Sequence, residues 1–110
     1  MTEELAQIVV ADCNGTPVVE VSGDVDISNA GVLSAILSSV PAAPVVAIDL
    51  SNVAFIDSTG LNAIARFGRQ QLDSGGALYL VVTGSAVRKV LEITGLHKHF
   101  NVVKSLDDLP

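Results

Sequence analysis

The feature that most constrains the fold is a pair of short apolar runs, at residues 45–50 and 78–82. Both runs are rich in branched side chains, a pattern typical of strands that helices cover on both faces. Between them, apolar residues recur with a helical period, which predicts a helix over about residues 58–73. This alternation of strand and helix predicts parallel strands joined by right-handed crossovers, and so an α/β fold.

The first part of the chain has a different pattern. Strand-like segments at about residues 5–11 and 17–21 flank the turn signal Asn14-Gly15, which predicts an antiparallel hairpin. Three further elements are expected. They are a helix N-capped by Ser28 or Asn29 and ended by Pro41 and Pro44, a helix capped by Ser85 and ended by Gly95, and a last strand at about residues 100–103.

The helix predicted over residues 58–73 is amphipathic. We expect its apolar stripe to be buried and its polar face to be exposed to solvent. The predicted stripe consists of Leu61, Ile64, Ala65, Gly68 and Leu72, and the polar face consists of Asn62, Arg66, Arg69 and Asp73.

Composition is that of a small globular protein. At 110 residues there is room for one domain, and an apolar share of 49% is far above that of a disordered chain. No apolar run reaches the ~20 residues that span a bilayer, and the acidic start does not resemble a signal peptide. The single cysteine, Cys13, excludes an internal disulfide and is expected to be a half-buried thiol. We therefore expect a cytoplasmic protein.

Charge narrows the class of partner. Twelve acidic and six basic residues give a net charge of −6. Nucleic-acid phosphates and anionic lipid headgroups repel a surface of this sign. The basic pairs Arg66 with Arg69 and Arg88 with Lys89 are expected to be solvated helix faces rather than a nucleic-acid site. We expect a protein partner, with no direct nucleic acid and no membrane.

The segment from Phe55 to Leu61 offers two interpretations. Asp57 and Ser58 are both good N-cap residues, so the segment could simply begin a helix. Alternatively, the adjacent hydroxyls of Ser58 and Thr59 lie where a helix N-terminus accommodates a phosphate dianion. Gly60 removes side-chain bulk next to them, which would let another protein approach.

Three segments resemble one known family. Asp57-Ser58-Thr59-Gly60-Leu61 resembles the D-S-[ST]-G-L segment of bacterial anti-sigma factor antagonists in the STAS superfamily. Gly23-Asp24-Val25-Asp26 is similar to the family's G-[ED]-[LI]-D turn, and residues 90–96 are similar to its V-L-x-[IL]-[ST]-G-L segment. The resemblance covers about residues 5–105. With the pattern of elements, it predicts one STAS-like α/β domain over residues 1–110. Its sheet is mixed and mostly parallel, with about four to five strands opening in an antiparallel hairpin, covered by about four helices.

The resemblance implies a function and assigns residues to it. Ser58 would be the phosphorylated residue. The expected partner is an anti-sigma factor that is also an ATP-dependent serine kinase: the unphosphorylated antagonist binds it and frees a sigma factor. Phosphorylation ends that binding, and a serine phosphatase resets the switch. The residues expected to contact the partner are Asp24, Asp26, Asp57, Thr59, Gly60 and Asn62.

Two departures from the family pattern are visible. Asn62 stands where many relatives carry a small Gly on the docking helix, so partner choice is expected to differ. The tail, residues 105–110, is too short for the full final helix that is usual in the family.

Enzymatic activity is not expected, because Ser58 has no plausible base and no nucleotide-binding motif is present. His97 and His99 are expected to be turn or surface residues rather than metal ligands, so no metal or cofactor is predicted. The expected oligomeric state is a monomer. The alternative function is a non-switching STAS scaffold or adaptor subunit, in a signalling assembly or a lipid transporter, whose serine need not be phosphorylated.

Overall fold

The structure is a computed structural model that describes residues 7–110. The acidic start of the sequence and the first two residues of the strand predicted at residues 5–11 lie outside this range. Two 3₁₀ turns, Leu96–Lys98 and Leu106–Asp108, accompany the regular elements. Those elements are β1 (Gln7–Cys13), β2 (Thr16–Ser22), α1 (Ala30–Ser39), β3 (Val45–Asn52), α2 (Ser58–Asp73), β4 (Ala77–Val81), α3 (Ser85–Thr94) and β5 (Asn101–Val103).

The opening hairpin and the mixed sheet are confirmed. Asn14 and Gly15 have φ values of 52° and 90°, the left-handed conformation that a tight two-residue hairpin needs. The strand order is β1-β2-β3-β4-β5, with β1 antiparallel to β2 and every other neighbouring pair parallel. The carboxyl ends of the four parallel strands therefore lie at one edge of the sheet, and the loop leading into α2 lies at the same edge.

The core lies on one face of the sheet. The buried side chains of all three helices pack in a single cluster with alternate residues of β2, β3 and β4. These strand residues are Val19, Val21, Ile48, Leu50, Leu78 and Leu80. The expectation that helices cover both faces is therefore wrong. Apolar residues such as Ala47 and Val81 are buried on the opposite face as well, which gives the strands their continuous apolar sequence.

The expectation of about four helices is also wrong, since the described residues form three α-helices. After β5 the chain makes only the 3₁₀ turn at Leu106–Asp108, whose first turn is capped by the Ser105 hydroxyl accepting from the Asp107 N–H at 3.1 Å. Residues 104–110 therefore contribute this turn and no α-helix.

Helix α2 has the predicted bounds, but its buried stripe differs from the predicted one. Leu61, Ile64 and Gly68 are buried as predicted, whereas Ala65 is only half-buried, Ala63 is buried and Leu72 is 46% exposed. Gln71 is buried instead, because its side-chain amide donates to the Ala43 carbonyl at 2.7 Å and to the Ala77 carbonyl at 3.2 Å. These two bonds tie the end of α2 to the segment before β3 and to β4.

The starts of the other two helices agree with expectation only in part. Asn29 occupies the N-cap position of α1, as predicted, but its side-chain oxygen accepts from the Asp26 N–H at 2.9 Å rather than from an N–H of the helix. Ser85 is the first residue of α3, and Gly84 occupies the capping position before it. At the other end, Gly95 ends α3 as predicted, with a left-handed φ of 80°.

The difference in exposure between Leu61 and Leu72 on α2 supports a paired prediction. Leu61→Asp places an unpaired carboxylate where the side chain is 5% exposed, and we expect the free energy of unfolding to fall by at least about 4 kcal/mol. Leu72→Asp, at an exposed site on the same helix, should change it by less than about 0.5 kcal/mol. Urea titrations of both variants measure the difference. Equal losses would contradict the placement of the helix face.

Candidate functional site

Ser58 is the first residue of α2 and is exposed. It follows the loop that leaves the carboxyl end of β3. No hydrogen bond within residues 7–110 engages its side-chain hydroxyl, whereas the neighbouring Thr59 is only partly exposed. The Ser58 hydroxyl is therefore open to another molecule from the solvent side.

Asp57, not Ser58, is the side chain that caps α2. Its Oδ1 accepts from the Thr59 N–H at 3.0 Å and from the Gly60 N–H at 3.2 Å. The same oxygen accepts from the Thr59 hydroxyl at 2.5 Å. Because Asp57 satisfies two of the free N–H groups of the first turn, the capping interpretation does not require the Ser58 hydroxyl.

These contacts set the charge state of the cap. The Thr59 hydroxyl lowers the pKa of Asp57 below its ordinary value, with help from the backbone N–H groups of Gly60, Thr59 and Ile27. Partial burial acts in the opposite direction but does not prevail. Asp57 is therefore ionised at neutral pH, and the Thr59 hydroxyl is committed to it. The two adjacent hydroxyls are not equivalent.

The structure brings the predicted acidic turn next to this helix start. Val25 forms an isolated parallel bridge with Ile56, in which the Val25 N–H donates to the Phe55 carbonyl at 2.9 Å. The Asp57 N–H in turn donates to the Val25 carbonyl at 3.1 Å. Asp24 and Asp26 flank Val25, so both predicted residues lie beside the Ser58 site.

The turn is held by its own side chains. Asp26 Oδ1 accepts from the Ser28 N–H at 2.9 Å and from the Ser28 hydroxyl at 2.5 Å. The Asn29 side-chain amide donates to the Asp24 carbonyl at 2.9 Å. The Asp26 carboxylate therefore shapes the loop, while Asp24 contributes a backbone oxygen and keeps its side chain exposed.

Gly60 and Asn62 face opposite directions. Gly60 is buried, and a Cβ atom there would come within 2.6 Å of Val25 Cγ1 and 2.9 Å of Ile56 Cγ1. Its lack of a side chain is thus required by packing of α2 over the bridge. Asn62 is exposed on the polar face of α2, as predicted. A partner contact by either residue remains a prediction.

Two apolar residues at this edge were missed by the sequence analysis. Ile27 is 80% exposed, and Phe55 is 52% exposed. Ile27 stands between polar residues of the acidic turn, and Phe55 precedes the buried Ile56, so both occupy positions where an apolar side chain is not needed for the core. An apolar residue at a position that the core does not need was the feature of the sequence that could have pointed to them.

Other groups take no part in this site. Within residues 7–110, no cluster of three or more His, Cys, Asp or Glu side chains is placed to hold a metal ion. His97 and His99 are exposed, and His97 Nδ1 lies 3.2 Å from the Leu91 carbonyl oxygen. Cys13 is partly exposed and unpaired. None of the helices described is both long and apolar enough to cross a membrane.

Comparison with known proteins identifies the family. The STAS domain family model matches residues 7–109. An anti-sigma-F factor antagonist, RsfB from Mycobacterium tuberculosis, is 31% identical over 103 residues, which cover 92% of this chain and 84% of RsfB. The crystal structure of an anti-sigma factor antagonist from Mycobacterium paratuberculosis has a TM-score of 0.84 at 32% identity, covering 97% of this chain and 92% of that one.

SpoIIAA shares the fold at 18% identity. Its unphosphorylated form, an anti-sigma factor antagonist, has a TM-score of 0.65, and the alignment covers 79% of this chain and 83% of SpoIIAA. Its phosphorylated form, from Bacillus, has a TM-score of 0.70, and the alignment covers 93% of this chain and 95% of SpoIIAA. Because the family match spans residues 7–109, the chain belongs to the STAS domain family, and within that family it is similar to anti-sigma factor antagonists.

Proposed function

We propose that this chain is an anti-sigma factor antagonist controlled by phosphorylation at Ser58. The unphosphorylated form binds an anti-sigma factor that is also an ATP-dependent serine kinase, and so frees a sigma factor. Phosphorylation ends the binding, and a serine phosphatase restores it. The observation that carries this proposal is the exposed Ser58 hydroxyl, left without an internal hydrogen bond at the first position of α2.

The geometry favours Ser58 over Thr59 as the acceptor. A kinase supplies its own catalytic groups, so the acceptor hydroxyl needs access rather than activation. Ser58 has that access, whereas the Thr59 hydroxyl donates to Asp57 and would have to break that bond to react. A phosphate on Thr59 would also lie against the Asp57 carboxylate, where like charges repel.

The domain should tolerate the phosphate without unfolding. A phosphoserine adds about 1.5 to 2 negative charges, and the first turn of a helix is where such charge is favourable. Ser58 is not in the core, so its modification displaces no packed side chain. The switch therefore acts at the surface that a partner contacts, and the fold is the same in both states.

The remaining parts of the proposal follow from composition and similarity. The net charge of −6 favours a protein partner over nucleic acid or a membrane surface. Two relatives carry the name of anti-sigma factor antagonist, and SpoIIAA exists in a phosphorylated form. The chain is proposed to act as a cytoplasmic monomer, without cofactor and without catalytic activity of its own.

The first test is affinity capture from a lysate of the source cell. Wild type and Ser58→Ala should both recover an ATP-dependent serine kinase, because neither carries added charge. Ser58→Asp should not recover it, because its carboxylate imitates part of the phosphate charge. Mass spectrometry identifies the recovered proteins. If all three baits recover the same partners and no kinase, the chain is a scaffold or adaptor subunit.

The kinase recovered in this way then tests the acceptor. Radiolabelled ATP should transfer one phosphate to wild type and to Thr59→Ala, and none to Ser58→Ala. Label on Ser58→Ala, or its loss from Thr59→Ala, would assign the acceptor to Thr59 instead.

A separate prediction concerns the cap. Asp57→Ala should lower the melting temperature, because two N–H groups of α2 lose their acceptor, whereas Ser58→Ala should leave it unchanged within about 2 °C. The pKa of Asp57 is lowered in the fold, so its stabilisation is fully present above the ordinary value of 3.8 and is lost as pH falls through the lower folded value. Thermal melts from pH 7 to pH 2.5 should therefore show the gap between wild type and Asp57→Ala closing in acid. A gap that widens in acid would contradict the assigned cap.

A further inference from the structure

A hollow outside the Ser58 site lies at the carboxyl edge of the sheet, beyond β4 and β5. The Val82 N–H donates to the Val103 carbonyl at 2.9 Å, so the segments that follow these two strands lie side by side. The hollow has a volume of about 530 Å³ and opens to solvent. The residues that line it are Val82, Thr83, Ser85, Arg88 and Lys104. None of them belongs to the loops that meet at Ser58.

Two cations from different parts of the fold line this hollow. Arg88 lies in the first turn of α3, and Lys104 directly follows β5. Within residues 7–110 the Arg88 guanidinium makes one long hydrogen bond, to the Val82 carbonyl at 3.4 Å, and no carboxylate lines the hollow. Because two like charges face the same space without an acidic partner there, the hollow favours an anion.

The positive charge of this region is local, in a chain whose net charge is −6. No Lys or Arg precedes Arg66, whereas residues 82–104 contain four of the six basic residues and one acidic residue, Glu92. The sequence predicted that Arg88 and Lys89 form a solvated helix face. Lys89 is indeed exposed, but Arg88 is half-buried and turned into the hollow. The two neighbouring cations therefore differ in what they can bind.

The other polar groups of the hollow add hydrogen-bond donors. The N-cap residue of α3 is Gly84, and no side chain accepts from the first-turn N–H groups of this helix. The Ser85 hydroxyl makes no hydrogen bond within the described part of the chain. The Thr83 hydroxyl is committed to the fold, because it donates to the Ser51 carbonyl at 3.3 Å. These donors supplement a site whose charge comes from Arg88 and Lys104.

The chemistry of the lining residues fits a phosphate group. A guanidinium donates two parallel hydrogen bonds to phosphate oxygens, and an ammonium adds charge without a fixed geometry. Hydroxyl and free N–H groups can donate to the remaining oxygens. No aromatic side chain lines the hollow, so it offers no surface on which a nucleotide base could stack. The expected ligand is therefore a small phosphate anion.

We propose that Arg88 and Lys104 bind a phosphate group in this hollow, either inorganic phosphate or the phosphate of a small phosphomonoester. The two sources offer the site the same chemistry and differ only in what the phosphate carries. The proposal goes beyond the proposed function and does not depend on it, since no lining residue takes part in the Ser58 site.

The test is a titration of the full chain with sodium phosphate, in which sodium chloride keeps the ionic strength constant. Chemical shifts of backbone amides, followed by NMR, give the dissociation constant, and the amides of Ser85, Ala86 and Val87 should move. Arg88→Gln and Lys104→Gln should each weaken binding at least about tenfold, because each removes a charge-assisted hydrogen bond. Lys104 is exposed, so its variant stays informative even if Arg88→Gln loses stability.

Lys89→Gln is the matched control. It removes the same charge as Lys104→Gln, from an exposed residue next to Arg88 that does not line the hollow. The dissociation constant should stay within about twofold of wild type, because exposed charges at a distance are screened. If Lys89→Gln weakens binding as much as Lys104→Gln, phosphate responds to overall charge and the site is wrong. Wild-type affinity in both Arg88→Gln and Lys104→Gln would overturn it as well.

Further probes test the class of ligand and its source. Sodium acetate should bind at least about tenfold more weakly than phosphate, because a planar monoanion accepts fewer hydrogen bonds and carries less charge. Acetate binding as tight as that of phosphate would overturn the assignment to a phosphate group, and the lack of any saturable shift up to about 20 mM phosphate would overturn the site. Tighter binding of glycerol 3-phosphate than of phosphate assigns the source to a phosphomonoester, and equal or weaker binding assigns it to inorganic phosphate.

Discussion

The carboxylate of Asp57 is the group on which the rest of the site depends. It accepts hydrogen bonds from the first turn of α2, and the backbone N–H of the same residue donates to the Val25 carbonyl in the acidic turn, so one residue joins two loops that are distant in sequence. It also engages the Thr59 hydroxyl, which leaves Ser58 as the hydroxyl that faces solvent. Without the Asp57 carboxylate, the Ser58 hydroxyl would be the next side chain able to cap α2, and it would then bond the helix instead of facing solvent.

The close approach of α2 to the Val25–Ile56 bridge fixes the position of the helix start relative to the acidic turn. Gly60 is the residue that permits it, because a Cβ atom at that position would come within 2.6 Å of Val25. A fixed surface favours a switch that works by adding charge rather than by changing shape. The proposed phosphate enters a site whose loops are already held, so its effect falls on the partner.

Much of the fold was predictable from the sequence because its signals are local. The Asn14-Gly15 turn, the bounds of α2 and the left-handed Gly95 depend on nearest neighbours and on hydrophobic period, and all are confirmed. The errors concern long-range contacts. Leu72 has the period of a buried residue, but Gln71 reaches the carbonyls of Ala43 and Ala77, which come from other parts of the chain. The one-sided helix layer was missed because apolar residues on both faces of β3 look the same whether or not a helix covers them.

The sequence by itself determined the α/β class, the order of the elements, the STAS resemblance and the position of Ser58 at a helix start. These properties are encoded in short motifs and in the spacing of apolar residues. Only the tertiary structure decided that Asp57 caps α2, that Ser58 and Thr59 differ in access, and that Ile27 and Phe55 border the site. Each of these depends on which loops meet at the carboxyl edge of the sheet. That meeting is fixed by strand pairing and by the packing of α2 over the bridge, and neither is contained in a local stretch of sequence.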